Sequence, residues 1–66
     1  MDGHLLKYYI HSNGDRILDL AVAMKISNEN LSLKINGKSQ FKVSEVNFIA
    51  LRYGLGCHEI YDIWFK

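Results

Sequence analysis

The 66-residue sequence contains no proline and a single cysteine, and each shortage narrows what the chain can be. Without proline nothing forbids helix at any position, so helices can run almost throughout, with turns left to glycine and asparagine. One cysteine, Cys57, cannot close an internal disulfide, and no cysteine and histidine cluster has structural-zinc spacing, so the usual staples of small secreted domains are missing. No stretch approaches the roughly 20 apolar residues of a membrane span, and the opening MDGHLLKYYI lacks the basic head and long apolar core of an export signal. The expected location is the cytoplasm. Excess charge is lacking as well: 8 Lys and Arg against 7 Asp and Glu give a formal +1, far less than a strong nonspecific binder of polyanions carries. Paired carboxylates, a phosphate-cradling glycine loop and triad spacing are all missing, so catalysis is not expected. His4, His11, His58 and Cys57 match no ligand pattern, which argues against a metal or cofactor, and the thiol is expected to be buried or half-buried.

What is present is a globular balance, 48% hydrophobic and 23% charged, in a chain of single-domain size. One domain over residues 1–66 is expected, held by its own core. Gly3, Gly14, Gly37, Gly54 and Gly56 divide the chain into short stretches whose apolar residues recur at three- and four-residue spacing. The pattern predicts several short helices.

The first runs from His4 to about His11, with Leu5, Leu6, Tyr9 and Ile10 as its apolar stripe and Ser12-Asn13-Gly14 as its stop. Asp15 is placed to cap a second over about Arg16 to Met24, in which Ile17, Leu20, Ala21 and Met24 recur at i, i+3, i+4 and i+7. Ser27 caps a third through Leu31 and Ile35, and Gly37 ends it in a left-handed turn. Lys38 to Val43 is too short and solitary for a sheet and reads as a loop with Phe41 buried. Ser44 is expected to cap a fourth helix that turns Val46, Ile49, Ala50 and Tyr53 inward and closes at Gly54. A last helix begins near Gly56.

Two helices joined by a turn of three or four residues, a small Ala21 in the first and a buried aliphatic in the second, make a helix-turn-helix arrangement over about residues 16–36. The run LAVAMKISNENLSLKINGKSQFKVSEVNFIALRYGL resembles the DNA-binding domains of phage Cro proteins and related repressors, the XRE-like helix-turn-helix family. The similarity covers nearly everything after Gly14 and is sharpest in Ile26-Ser27, Leu31-Ser32, Lys34 to Lys38, Phe41, Ser44 and Glu45. The resemblance implies an all-α, compact five-helix domain that binds operator DNA as a homodimer, a phage or prophage repressor needing no cofactor. It sets Asn28, Glu29, Ser32 and Leu33 against base edges, residue types suited to adenine, cytosine and the thymine methyl. Ser27, Asn30, Lys34, Asn36, Lys38 and Lys42 would meet phosphates, the three lysines falling in a segment free of acidic residues between Glu29 and Glu45, and the backbone N–H groups after Asn36 and Gly37 would help. Three positions depart from the family pattern. Ile17 stands where a phosphate-touching glutamine is common and is expected to pack inside, Lys25 replaces a turn glycine, and Lys34 sits where larger repressors are often apolar.

The ending Tyr61-Asp62-Ile63-Trp64-Phe65 is dense in large apolar side chains. Ile60, Ile63 and Phe65 are expected inside, with Tyr61 and Trp64 forming an isologous dimer patch. The low net charge, this aromatic terminus and Glu29 on the groove-facing helix leave a rival reading open. The chain would then be a helix-turn-helix-fold module that binds another regulatory protein, as an antirepressor or modulator.

Overall fold

The computed structural model describes all 66 residues and is all-helical: α1 (Gly3–Ser12), α2 (Ile17–Met24), α3 (Asn28–Ile35), α4 (Val43–Tyr53), α5 (Cys57–Ile60) and a final π-helical turn, Tyr61–Phe65. No strand forms, and Lys38 to Lys42 is loop with Phe41 packed against the core. No helix is long and apolar enough to cross a membrane.

The caps explain where the helices start. Asp2 accepts from the Leu5 N–H at 3.0 Å, and the Ser27 hydroxyl accepts from the Asn30 N–H at 3.0 Å, each relieving a backbone donor that has no partner inside its helix. The other three helices open differently, with an acid at their third position reaching back to the preceding backbone N–H: Asp19 to Arg16 at 2.8 Å, Glu45 to Lys42 at 2.7 Å and Glu59 to Gly56 at 3.2 Å. This is the acidic half of a capping box. Two expectations fall with it. Ser44 lies inside α4, because Glu45 draws the start back to Lys42. Asp15 does not cap α2, because its carboxylate is held by Arg52 Nε at 2.8 Å and the Tyr53 hydroxyl at 2.8 Å. Those bonds, Arg52 first, hold the Asp15 carboxyl below its usual range, while burial and then Asp15 push the Tyr53 hydroxyl up. The turn before α2 is thereby tied to the end of α4.

Six side chains have essentially no exposure: Leu6 and Ile10 of α1, Leu20 of α2, Leu31 of α3, Ile49 of α4 and Ile63 of the π turn. Each contributes about 1.5–3 kcal/mol of apolar burial, so every element but the four-residue α5 is fastened by at least one of them. Ala21, 1% exposed, sits where α2 and α3 pack. Ile17, Met24 and Ile26 pack against this core as half-buried residues. Helix α1 closes on the far end of α3 through Gly3, where any Cβ would collide with the Ile35 carbonyl. The Asp2 N–H donates to the Ile63 carbonyl at 2.6 Å, joining the two ends of the chain.

The C-terminus departs from the expected plain helix. Beyond Ile60 the wider π turn, with bonds spanning five residues instead of four, shifts each following side chain around the axis. Trp64 consequently turns inward and meets the Phe41 ring edge-on at 5.7 Å between centroids, whereas Phe65, expected inside, is 68% exposed. Tyr61 is exposed as expected, and Cys57, expected to be covered, is also exposed.

Lys25 has φ 60° and ψ 38°, the left-handed conformation, and is the one residue other than glycine at positive φ. Its N–H closes on the Val22 carbonyl and that of Ile26 on the Ala21 carbonyl, so the strained residue sets the angle at which the chain leaves α2. Lys25→Gly is expected to stabilise the protein by up to about 1 kcal/mol, the strain removed less the extra freedom of the unfolded chain. Urea denaturation measures it, and a loss of stability would mean that the lysine stem contributes more than the strain costs.

Candidate nucleic-acid interface

Helix α3 has two faces of different character. Leu31, Lys34 and Ile35 point into the molecule. Asn28, Glu29 and Asn30 are exposed, Ser32 is half-buried and Leu33 is 39% exposed. The four residues expected at base edges thus share the outward side of one eight-residue helix, which follows the eight-residue α2 after a turn of Lys25, Ile26 and Ser27. One bond and one charge settle the start of that face. Ser27 spends its acceptor on the Asn30 N–H and keeps its own O–H free, and Glu29 stands in the first turn, where negative charge suits the helix dipole.

The expected phosphate set divides. Asn36, Lys38 and Lys42 are exposed, and neither lysine takes part in an ion pair. Lys34 is different: it is 7% exposed, and its Nζ donates to the Gln40 carbonyl at 3.1 Å and to Glu45 Oε1 at 3.1 Å, 6.0 Å from the Phe41 ring centre. It fastens the loop to α4, and with two of its three N–H groups engaged and its side chain only 9% exposed it is withdrawn from any external anion, so its assignment to phosphate contact is corrected. Burial opposes ionisation of Glu45, but the Lys42 N–H and the Lys34 ammonium together outweigh it and hold the carboxyl below its usual range. The loop backbone is also occupied. The N–H groups of Gly37, Lys38 and Ser39 donate to the carbonyls of Lys34, Leu33 and Leu33 at 3.2, 2.9 and 3.3 Å. They close the end of α3 and are not turned to an anion, contrary to expectation.

Lys7 of α1, given no role by the sequence pattern, and His4, weighed there only as a metal ligand, stand beside this surface. Lys7 and Asn36 both line two shallow recesses between α1 and α3. The only signal in the sequence is their one-turn spacing on α1, alongside the Leu6 and Ile10 stripe.

Next to the larger of these recesses, with Met1 and Gly37 in common, Phe41, Val43, Val46, Trp64 and Phe65 border an open cleft of about 480 Å³. Trp64 was expected on a dimer patch with Tyr61, but it is half-buried, and its indole N–H is covered without a hydrogen-bond partner. Tyr61 and Phe65 are the exposed aromatics of that terminus. His4, His11, His58 and Cys57 are not gathered into any group that could hold a metal ion. Comparison of the chain with protein-family models, curated proteins and solved structures returns no match.

Proposed function

We propose that the chain is a sequence-specific DNA-binding regulator of the Cro and phage-repressor helix-turn-helix type, acting in the cytoplasm as a homodimer that occupies operator DNA. The observation that carries this reading is α3 itself. It is rooted by Leu31 and Ile35 in the core shared with Ala21 of α2 and presents Asn28, Glu29, Ser32 and Leu33 on its free side. A helix held in this way can enter the major groove with its first residues against base edges while α2 crosses the backbone. Asn28 can pair with adenine, Glu29 can accept from cytosine and Leu33 can touch a thymine methyl. Lys38 and Lys42 supply charge for phosphates. The dimer contact falls to Tyr61 and Phe65, the exposed aromatics of the terminus, Trp64 being turned toward Phe41.

The reading separates two kinds of residue. Asn28→Ala should cost about 1–3 kcal/mol at one base pair of each half-site and little elsewhere, whereas Lys38→Ala should weaken all sequences alike and lower the salt slope by about 0.9. Competition binding against a randomised duplex pool measures both. Equal effects of the two variants on every sequence would overturn the assignment.

The apolar cleft, with Phe65 68% and Val43 78% exposed, supports the second reading, a module that binds another regulator. Retention on heparin or nonspecific DNA that falls as salt rises favours the first reading. Failure to bind either at low salt favours the second.

A further inference from the structure

Resting on the DNA-binding reading, we infer that Lys7, together with Ser32 and Asn36, forms a phosphate site at the junction of α1 and α3, outside the helix-turn-helix motif. The junction exists because Gly3 has no side chain: α1 lies against the Ile35 carbonyl, and Lys7, one turn further on, comes over the last turn of α3. There it borders a small recess of about 50 Å³ with Ser32 and Asn36, and a larger one of about 250 Å³ with His4, Asn36 and Gly37. The lysine therefore stands on the saddle between the two, with Asn36 common to both.

The chemistry of this saddle fits a tetrahedral anion. No carboxylate lines either recess. The three ion pairs of the molecule use Arg16, Lys34 and Arg52, leaving Lys7 with no acidic partner. The nearest acid along the chain, Asp2, is engaged in capping Leu5. Neither the Ser32 hydroxyl nor the Asn36 side-chain amide makes a hydrogen bond within the chain, so a positive charge, an O–H and an N–H border one recess with no partner within the chain. Phosphate oxygens accept from all three, as nucleic-acid backbones do from lysine, serine and asparagine. The site also answers a shortage, because the Gly37, Lys38 and Ser39 amides after α3 are already spent and Lys34 is buried. Ser32 joins the two surfaces: it belongs to the face of α3 set against bases, so a phosphate held by Lys7 is one that flanks the bases read by that helix.

Two titrations of the ¹⁵N-labelled protein test the inference, one with sodium sulfate as a bare tetrahedral anion and one with a 16-base-pair duplex pool. Wild type, Lys7→Gln, Lys7→Arg and Asn28→Ala are compared. With sulfate at constant ionic strength, saturable amide shifts are expected at Lys7, Ser32, Asn36 and Gly37, lost in Lys7→Gln and kept in Lys7→Arg. With DNA, Lys7→Gln should weaken binding on every sequence and reduce the salt slope by about 0.9, so that between 50 and 200 mM salt the wild type loses about 3.5-fold more affinity than the variant. A lysine that merely steadies the end of α3 would lower the melting temperature and leave the slope alone. If Asn28→Ala impairs DNA binding while Lys7→Gln changes neither slope nor sulfate shifts, the inference is wrong and the DNA reading stands. If no duplex binds, the DNA reading falls; the anion site then survives only on sulfate shifts that Lys7→Gln abolishes, and is refuted without them.

Discussion

Leu31→Ala is expected to remove most of the protein's stability, while Leu33→Ala, two residues along the same helix, leaves it folded. Leu31 has no exposure and lies in the contact between α2 and α3, whereas Leu33 is 39% exposed on the outward face. Truncating a fully buried leucine costs about 2–5 kcal/mol, the transfer of the lost methyl groups plus the cavity they leave. A domain of this size has only about 3–5 kcal/mol in hand, so urea denaturation of Leu31→Ala should begin at or near zero denaturant. The surface change should stay within about 0.5 kcal/mol. If Leu33 contacts a thymine methyl, its variant should lose affinity for a subset of sequences while its unfolding midpoint barely moves. Comparable destabilisation by both would mean that α3 is rotated about its axis from the arrangement described, and the whole candidate face would move with it.

Local signals reached far into the fold because most of it is built from short-range physics. The i, i+3, i+4 recurrences at Leu20 and Ala21 and at Leu31 and Ile35 mark the buried stripes directly. Gly37 and Gly54 take the left-handed turns their positions call for, with φ of 78° and 65°. Lys25 adopts the same conformation at a place where the resemblance expects glycine. The failures are of two kinds. Asp15 looked like a cap because a short acid before an apolar run usually is one, yet its partners Arg52 and Tyr53 lie 37 and 38 residues away, beyond any local rule. The cap that does form at α2 was written in Asp19, an acid at the third position, and reading only the residue before the helix missed it. The π turn was also illegible. Periodicity assumes a constant angle per residue, and the wider turn after Ile60 exchanged the expected places of Trp64 and Phe65.

The candidate site divides along the same line. Asn28, Glu29, Ser32 and Leu33 share a face for reasons internal to one helix, so spacing alone groups them. Lys7 joins them only through the contact of α1 with α3, across 25 residues of chain to Ser32 and 29 to Asn36. Lys34 shows how residue type can mislead where geometry is plain. It sits three residues after Leu31 and beside Ile35, on the buried stripe, but its charge argued for solvent. The long apolar stem lies in the interior, and the ammonium is met by partners 6 and 11 residues further on.

Lys34→Met is therefore expected to cost about 2–3 kcal/mol of stability, somewhat below the 3–5 of a fully enclosed pair because Glu45 keeps a little exposure. The side chains are 9% and 15% exposed, and methionine fills the space of the stem while leaving the carboxylate without its cation. Adding Glu45→Gln should recover part of the loss, since the amide oxygen can still accept from the Lys42 N–H that starts α4 and no buried charge remains. The pH dependence has a definite sign. Glu45 titrates lower in the folded chain than in the unfolded one, so the pair's contribution is complete above the ordinary carboxylate range near 4.5 and is lost as pH falls through the lower folded value. The gap in stability between wild type and Lys34→Met should accordingly be widest near neutrality and narrow in acid. Loss of DNA affinity in Lys34→Met with an unchanged unfolding midpoint would instead return Lys34 to the phosphate set. A midpoint that drops near neutrality and converges with wild type in acid fixes its role as the clasp between the α3 loop and α4, the device that holds Lys38 and Lys42 where a backbone could meet them.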